Sequence, residues 1–359
     1  HTTRVLTALG DVVDSLVRQA AGPAGRFVLP EATHLQDAQH VYLAQHLLVH
    51  AHRFLRDARR LEHVLTSVSA SPLGAAAVAG SSLPLDRKAT ARALGFERPV
   101  PNSVDAVSDR DFAVEGLNAM ALLGVHASSL AEELVLWSTP SYSRVRMADG
   151  YVTTSSLMPH KRNPDMAELL RGESGALIGL LVAHLTVLKG LPLSYNRDLQ
   201  VAKPLLFEAF ERLEVSLPVL SGMVRTTEFS DRRIGGPPPP PPSVELVDQL
   251  VRQGVAFRLA HEEVARKLSA LEGRGESLIG LSSRRLNQLF PQLPAGWSFP
   301  TPVQEVERRT TMGGSSWREV SQDLRGVRAE LIRLQRAQRE RKRVWSAWTW
   351  NLLHDRKAP

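Results

Sequence analysis

FAVEGLNAMALLGVHASSLAEELVLW, residues 112–137, carries apolar side chains most of the way round a helical wheel: Ala113, Leu117, Met120, Ala121, Leu123, Ala127, Leu130 and Leu134. A helix with one apolar stripe lies on the surface of a core, whereas one apolar on most faces needs neighbours on most sides. The stretch therefore predicts a central helix enclosed by others. Residues 35–65 place Leu35, Ala38, Val41, Leu47, Leu48, Ala51, Phe54, Leu55, Ala58 and Leu61 at three-and-four spacing, which predicts a long amphipathic helix. A third helix is expected from Asn163-Pro164-Asp165, with Asn as N-cap and Pro as first helical residue, to a stop at Gly190. A fourth is expected from Lys203-Pro204 past Phe210 and Leu213, kinked at Pro218. Alternating β-branched runs bounded by hairpin turns are almost absent. The expected fold class is all-α: a long-helix bundle with a smaller helical C-terminal domain.

The boundary between those domains is expected at Gly235-Gly236, ahead of the six prolines 237–242, which cannot be helical and favour extended polyproline. Residues 1–235 then form the long-helix domain and 236–359 the C-terminal one, in which helical spacing returns over 243–268 and 317–338. Residues 344–353 place Trp345, Trp348 and Trp350 beside basic side chains, a pattern suited to docking or to a frayed tail.

At 359 residues and 43% hydrophobic content the chain can bury a large core, which excludes a disordered protein. The absence of cysteine excludes disulfides, thiolate metal sites and a cysteine nucleophile, and fits a cytoplasmic location. The longest apolar run, 176–188, contains His184 and is too short to cross a bilayer, so no membrane association is expected. The first residue is His1 rather than Met, so a native start and further N-terminal residues are expected beyond it. The net charge of +7 owes much to residues 333–343, RLQRAQRERKR. With no nucleic-acid module beside it, this run reads as a solvated helix face rather than a polyanion site.

Chemistry concentrates in residues 155–165, SSLMPHKRNPD. Here a polar loop leads into a helix start, where unpaired N–H groups and the helix dipole favour an anion. Lys161 adds a positive charge and Asn163 two amide donors, a combination suited to a carboxylate, and better suited once negative charge grows in a transition state. The plain alternative is that Asn163-Pro164-Asp165 is only a helix cap, which leaves the serines and the lysine unexplained.

Ser-Ser-x-Met-Pro-x-Lys-x-Asn-Pro is the signature of the fumarase/argininosuccinase superfamily, and Ser155 to Pro164 match it at each defined position. Further blocks resemble the argininosuccinate lyases in order: Thr33-His34-Leu35-Gln36, Ser71-Pro72-Leu73-Gly74, Leu83-Pro84-Leu85-Asp86-Arg87, Asp105-Ala106-Val107-Ser108-Asp109-Arg110-Asp111-Phe112, and Gly190-Leu191-Pro192 with Tyr195-Asn196 and Asp198-Leu199-Gln200. The resemblance is strong over about residues 30–205. It implies a fumarase/aspartase-type bundle, a homotetramer with active sites shared between subunits, and a small dicarboxylate substrate. It implies no metal and no organic cofactor.

By position in those motifs, Ser155 resembles the family's general base, which as an alkoxide takes a proton from the carbon beside a carboxylate. Lys161 and Asn163 resemble the groups that hold that carboxylate. His34 resembles the histidine on the leaving-group side and Glu168 the acid paired with it, with Thr33 beside it among the substrate contacts. Tyr195, Gln200 and Lys203 keep the spacing used around the amino-acid part of the substrate. The implied reaction is β-elimination from an N-substituted aspartate, argininosuccinate, giving fumarate and arginine. Each residue has a plainer reading: His34 as one of 12 histidines, and Glu168 as a surface partner of Arg171 at i+3. His46, His50 and His52 share a helix, but no carboxylate in the local sequence completes a metal site, and they read as structural.

Four departures bear on the leaving group rather than on the elimination. His1-Thr2-Thr3-Arg4 is followed by an ordinary helix where the family carries His-Thr-Gly-Arg-Ser-Arg-Asn-Asp. His160 replaces a Gln, Thr154 replaces a Gly, and Val201-Ala202 replaces an acidic pair. Two other readings therefore stand beside the leading one: a fumarate-releasing lyase for another succinylated amine, adenylosuccinate-type or of specialised metabolism, and a catalytically silent structural homologue.

Overall fold

The computed structural model describes residues 1–231 and 243–354, with side chains to residue 349. Residues 237–242 and the expected domain boundary at 235/236 lie outside the described residues. Two compact units are present: His1–Gly25 with His46–Ile234 and Asp323–Pro359, and Arg26–Gln45 with Gly235–Gln322.

The first unit is helical. Its elements include α1 (Thr2–Ala21), most of α2 (Leu43–Ser67), the short α3 (Arg87–Ala93) and α4 (Ser103–Ser108), and the long α5 (Asp111–Ser138), α6 (Asp165–Leu188) and α7 (Leu199–Thr226). Two-residue strands join the connections: β3 (Ala70–Ser71) with β4 (Arg98–Pro99), β5 (Val145–Arg146) with β8 (Glu228–Phe229), and β6 (Thr153–Thr154) with β7 (Arg162–Asn163). As its sequence requires, α5 is buried on several faces, through Ala113, Leu117, Met120, Leu123, Leu130 and Leu134. Gly124 brings α6 close: a Cβ there would lie 2.7 Å from Leu177 Cδ1 and 3.4 Å from the Ser174 backbone. Polar contacts tie α2 to α5 in antiparallel order, Arg53 Nη1 donating to Ser129 Oγ at 2.9 Å and His126 Nδ1 meeting the fully buried Asp57 at 2.6 Å. α1 packs on α7 through Leu6, Leu9, Val13 and Leu16, and Gln19 Nε2 donates to the carbonyls of Val224 and Thr227, capping the end of α7. α7 runs unbroken as a helix through Pro204 and Pro218, and starts at Leu199 rather than Lys203.

The helix expected over 35–65 is shorter. Residues up to Tyr42 form a β-hairpin, β1 (Val28–Thr33) with β2 (Gln36–Tyr42), and α2 begins at Leu43. The physical reason is the turn: His34 and Leu35 both have positive φ, 55° and 59°, the geometry of a two-residue hairpin loop that matches strand twist. Leu35, whose spacing suggested a helix, is 69% exposed at the tip.

The second unit holds this hairpin with α8 (Ser243–Arg252), α9 (Phe257–Glu272), α10 (Ser283–Leu289), α11 (Pro302–Glu307) and the first residues of α12 (Trp317–His354). Helical spacing over 243–268 resolves into two helices because Gly254, at φ 89°, turns the chain between them. The core is Leu246, Leu250, Val264, Leu271, Leu286 and Phe290. Buried Glu245 is satisfied by Arg308 and Arg309. The remainder of α12 belongs to the first unit, where Arg59 grips Glu330 through two nitrogens at 2.7 and 2.6 Å. Within the basic run, Arg333 and Arg341 pair with Glu62 and Arg343 with Glu340. These pairs support a solvated helix face.

Both α5 and α6 are long and apolar enough to cross a membrane by length and composition; α6 exceeds the 176–188 run because the helix starts ahead of it, at Asp165. Only 28% of its most apolar window is buried, against 56% for α5.

Tyr42 makes one testable link in the hairpin. Its hydroxyl donates to Glu307 at 2.6 Å and its ring meets Trp317 edge-on at 5.3 Å. Burial first, and then the Glu307 carboxylate, push the phenol up to about 12 from 10.0. The folded state therefore holds the proton more tightly, and this contribution, complete below pH 10, is lost as pH rises through that window. Tyr42→Phe is expected to lower stability by about 1 kcal/mol near neutrality. Thermal unfolding across alkaline pH checks this: the gap between wild type and variant should close toward pH 12, and a constant gap refutes the assignment.

Candidate active site

Residues 155–161 form the loop of a small hairpin, in which Thr153 faces Asn163 and Thr154 faces Arg162. Ser155 N–H donates to the Lys161 carbonyl at 3.3 Å and closes the loop, and Lys161 N–H donates to the Met158 carbonyl at 2.9 Å. The half-buried Ser155 hydroxyl accepts from the backbone N–H of Leu157 at 3.2 Å and of Met158 at 3.1 Å. Two aligned donors on one oxygen are the arrangement that stabilises an oxyanion, and here they act on the serine's own oxygen.

Arg162 anchors the base of the loop, donating to the Met147 carbonyl at 3.1 Å and pairing with Asp149. Lys161 is exposed, and its side chain has no polar partner among the described residues. Asn163 sits half-buried on β7 rather than acting as N-cap; Pro164 takes the cap position and α6 starts at Asp165. Asp165 and Glu168 occupy the first turn, so the dipole of α6 already faces two carboxylates. The donors that sequence reasoning sought at the helix start are thus supplied by the loop backbone. No side-chain type signals this, since the donating N–H groups belong to Leu157 and Met158.

Glu168 is exposed and lies 3.8 Å from Arg171, whose closer partner is Glu132. Thr33 and His34 belong to the second unit. Thr33 pairs with Gln36 at the end of the hairpin, and His34 stands exposed in the turn. A histidine at positive φ is uncommon, and such strain collects at functional positions.

Tyr195 and Lys203 line one cleft of about 1030 Å³ in the first unit, together with Arg110, Phe207 and His184. His184 is buried, and burial above all lowers its pKa, with Arg110 acting in the same direction. His184 and Arg110 were not among the residues selected from sequence; His184 lay hidden in the apolar run of α6. Gln200 is exposed in the first turn of α7 and does not line this cleft.

The three helical histidines divide. His52 pairs with Asp323 at 2.7 Å, whereas His46 Nε2 and His50 Nε2 both meet Glu133 Oε2 at 2.7 Å. The carboxylate absent from the local sequence comes from α5, more than 80 residues away. Glu133 is held far below the usual carboxylate range by these two imidazoles, against the opposing effect of its burial. Burial lowers the His50 pKa.

A protein-family profile described as "Lyase" matches residues 1–179. Argininosuccinate lyase from Rhodococcus opacus (strain B4) is 43% identical over 328 residues, covering 90% of this chain and 69% of the relative. The enzyme of that name from Mycobacterium sp. (strain JLS) is 42% identical over 339 residues, 94% and 72% of the respective chains. Among solved structures, EDDS lyase in complex with formate superposes with a TM-score of 0.86 at 26% identity, covering 98% of this chain and 72% of the other. Class II fumarase from Schistosoma mansoni shares the fold, with a TM-score of 0.64 at 18% identity over 81% and 63%.

Gly222 of α7 sets the segment that enters this loop. A Cβ there would lie 2.0 Å from Tyr151 Oη and 3.0 Å from its Cζ. Gly222→Ala must displace Tyr151, four residues ahead of Ser155, at a cost of about 1–3 kcal/mol. Adding Tyr151→Phe removes the nearest atom, so the double variant should recover most of the lost melting temperature. Equal melting temperatures for the single and double variants would refute the contact.

Proposed function

The chain belongs to the argininosuccinate lyase family, and from that premise we propose that it cleaves argininosuccinate to fumarate and arginine by β-elimination, with Ser155 as the base. The observation that carries this reading is the Ser155 oxygen held by two backbone N–H groups in the loop that also presents Lys161.

A serine hydroxyl is a poor base unless its anion is stabilised. The N–H groups of Leu157 and Met158 provide that stabilisation without reorganising, and Lys161 adds a positive charge in the same loop. Ser155 takes the proton from the substrate methylene beside a carboxylate. The electron pair left on carbon passes into that carboxylate, which Lys161 and Asn163 hold as its charge rises. The same pair then forms the double bond of fumarate as the C–N bond breaks, and the bond's electrons leave with the guanidine nitrogen. That nitrogen receives a proton on the His34 side, with Glu168 as the acid that orients the histidine. Thr33, Tyr195, Gln200 and Lys203 bind the rest of the substrate. Acid–base groups and fixed charge carry every step, so the reaction calls for no metal or organic cofactor.

The active form is a homotetramer with sites shared between copies, and its location is the cytoplasm. α6 and α7 support the assembly: Leu169, Ile178, Val182, Leu185, Val201 and Val215 are each at least 43% exposed, apolar side chains that neighbouring copies would cover.

A second reading keeps the chemistry and changes the amine. His160 in place of Gln and the likeness to EDDS lyase favour it. Ultraviolet absorbance of released fumarate across a panel of succinylated amines separates the two: the leading reading expects argininosuccinate to have the highest kcat/KM. In the same assay Ser155→Ala should lower kcat at least about 100-fold, and an active alanine variant would remove the base from Ser155. By light scattering the wild type should have the mass of four chains and Val182→Glu/Leu185→Glu that of smaller species; a monomeric wild type would refute the assembly.

A further inference from the structure

We propose that His46, His50 and Glu133 form a three-ligand site for a divalent transition ion of the zinc class, separate from the lyase chemistry. The two histidines are four residues apart on α2, which puts both imidazoles on one helix face. Glu133 reaches them from α5, and the candidate ligand atoms of all three lie within 4.8 Å of one another. Two imidazole nitrogens and one carboxylate oxygen are a donor set that suits zinc, nickel, cobalt or copper, and does not suit magnesium or calcium, which take oxygen ligands.

The present contacts define how an ion enters. Each imidazole turns Nε2 toward the same carboxylate oxygen at 2.7 Å, and an ionised carboxylate only accepts, so both rings carry their proton on Nε2. Ligation requires the Nε2 lone pairs. In the ion-bound state each ring therefore carries its proton on Nδ1 instead, and the ion takes the place of the two N–H groups on Glu133. His50 is 2% exposed, and its Nδ1 has no hydrogen-bond partner among the described residues. The shifted proton gains no acceptor there, which weakens binding relative to a site with a complete outer shell.

The surroundings favour retention of a bound ion. Leu16, Leu47, Leu130, Leu134, Trp137 and Phe229 enclose a small cavity beside the cluster. The His46 ring lies 4.7 Å from that of Trp137, so its orientation is fixed by packing. Glu133 is 30% exposed and leaves the solvent side open for water as a fourth ligand. A bound ion would clamp α2 to α5 at this end of the pair.

The test uses the full chain freed of metal by chelation and titrated with Zn²⁺ by calorimetry and with Co²⁺ by visible absorption. One ion per chain, with the strong bands of four-coordinate Co²⁺, is the expected result. His46→Asn and Glu133→Gln should each weaken binding at least about 100-fold, whereas His52→Asn, on the same helix outside the cluster, should not. X-ray absorption of the zinc-loaded wild type should show two imidazoles in the inner shell, a readout independent of how the variants fold. No binding by the wild type, unchanged binding in His46→Asn and Glu133→Gln, or an inner shell without two imidazoles would each overturn the proposal.

Discussion

A helix apolar on most of its faces cannot remain in water, and α5 imposes that constraint on the first unit. Each fully buried leucine contributes roughly 1.5–3 kcal/mol relative to exposure, and α5 buries Leu117, Leu123, Leu130 and Leu134. Such burial requires partners on several sides, and α2, α6 and α7 supply them. Gly124 refines the arrangement: the bundle closes on α6 because no side chain separates the helices there. α6 is somewhat less apolar than α5 in its most apolar window yet only half as buried, so the same constraint passes outward from α5 to a surface that still needs covering.

The candidate active site sits where this bundle ends. The chain leaves α5 at Ser138, crosses back through short paired segments, and re-enters α6 at Asp165. A seven-residue loop with two strand-like residues on either side has few ways to close, and Ser155 closes it twice, by its backbone N–H and by its hydroxyl. The hydrogen bonds that fold the loop therefore also lower the energy of a negative charge on the serine oxygen. Structure and reactivity here rest on the same donors.

How much of this was legible in the sequence depends on the range of the interaction. Apolar spacing within 112–137 and 47–61 reads directly because a helix repeats over a few residues. The same rule misled over 35–41, where Leu35, Ala38 and Val41 continue the helical interval although the chain is pairing as strands; the deciding signal was two left-handed residues in succession, and Leu35 is not a residue type that announces one. The signature loop was legible as a motif, since residue identity carries it. Its donors were not, because backbone N–H groups leave no mark on composition. Glu133 was beyond reach for a third reason: nothing near His46 and His50 specifies which distant carboxylate the fold delivers.

The polar groups between α2 and α5 show why such distant pairings persist. Asp57 is fully buried, and leaving a carboxylate there unpaired would cost several kcal/mol. Arg60 of α2 itself and His126 of α5 satisfy it, and the His126 contact holds in one register only, because moving α2 by a turn would put Asp57 against leucines of α5. Arg53 with Ser129, and His46 and His50 with Glu133, repeat the condition further along the same pair. Apolar packing alone would tolerate several alignments of two leucine-rich helices, since leucine meets leucine in each. The ladder of polar contacts removes that freedom, so the alignment of α2 on α5 follows from what a buried charge requires.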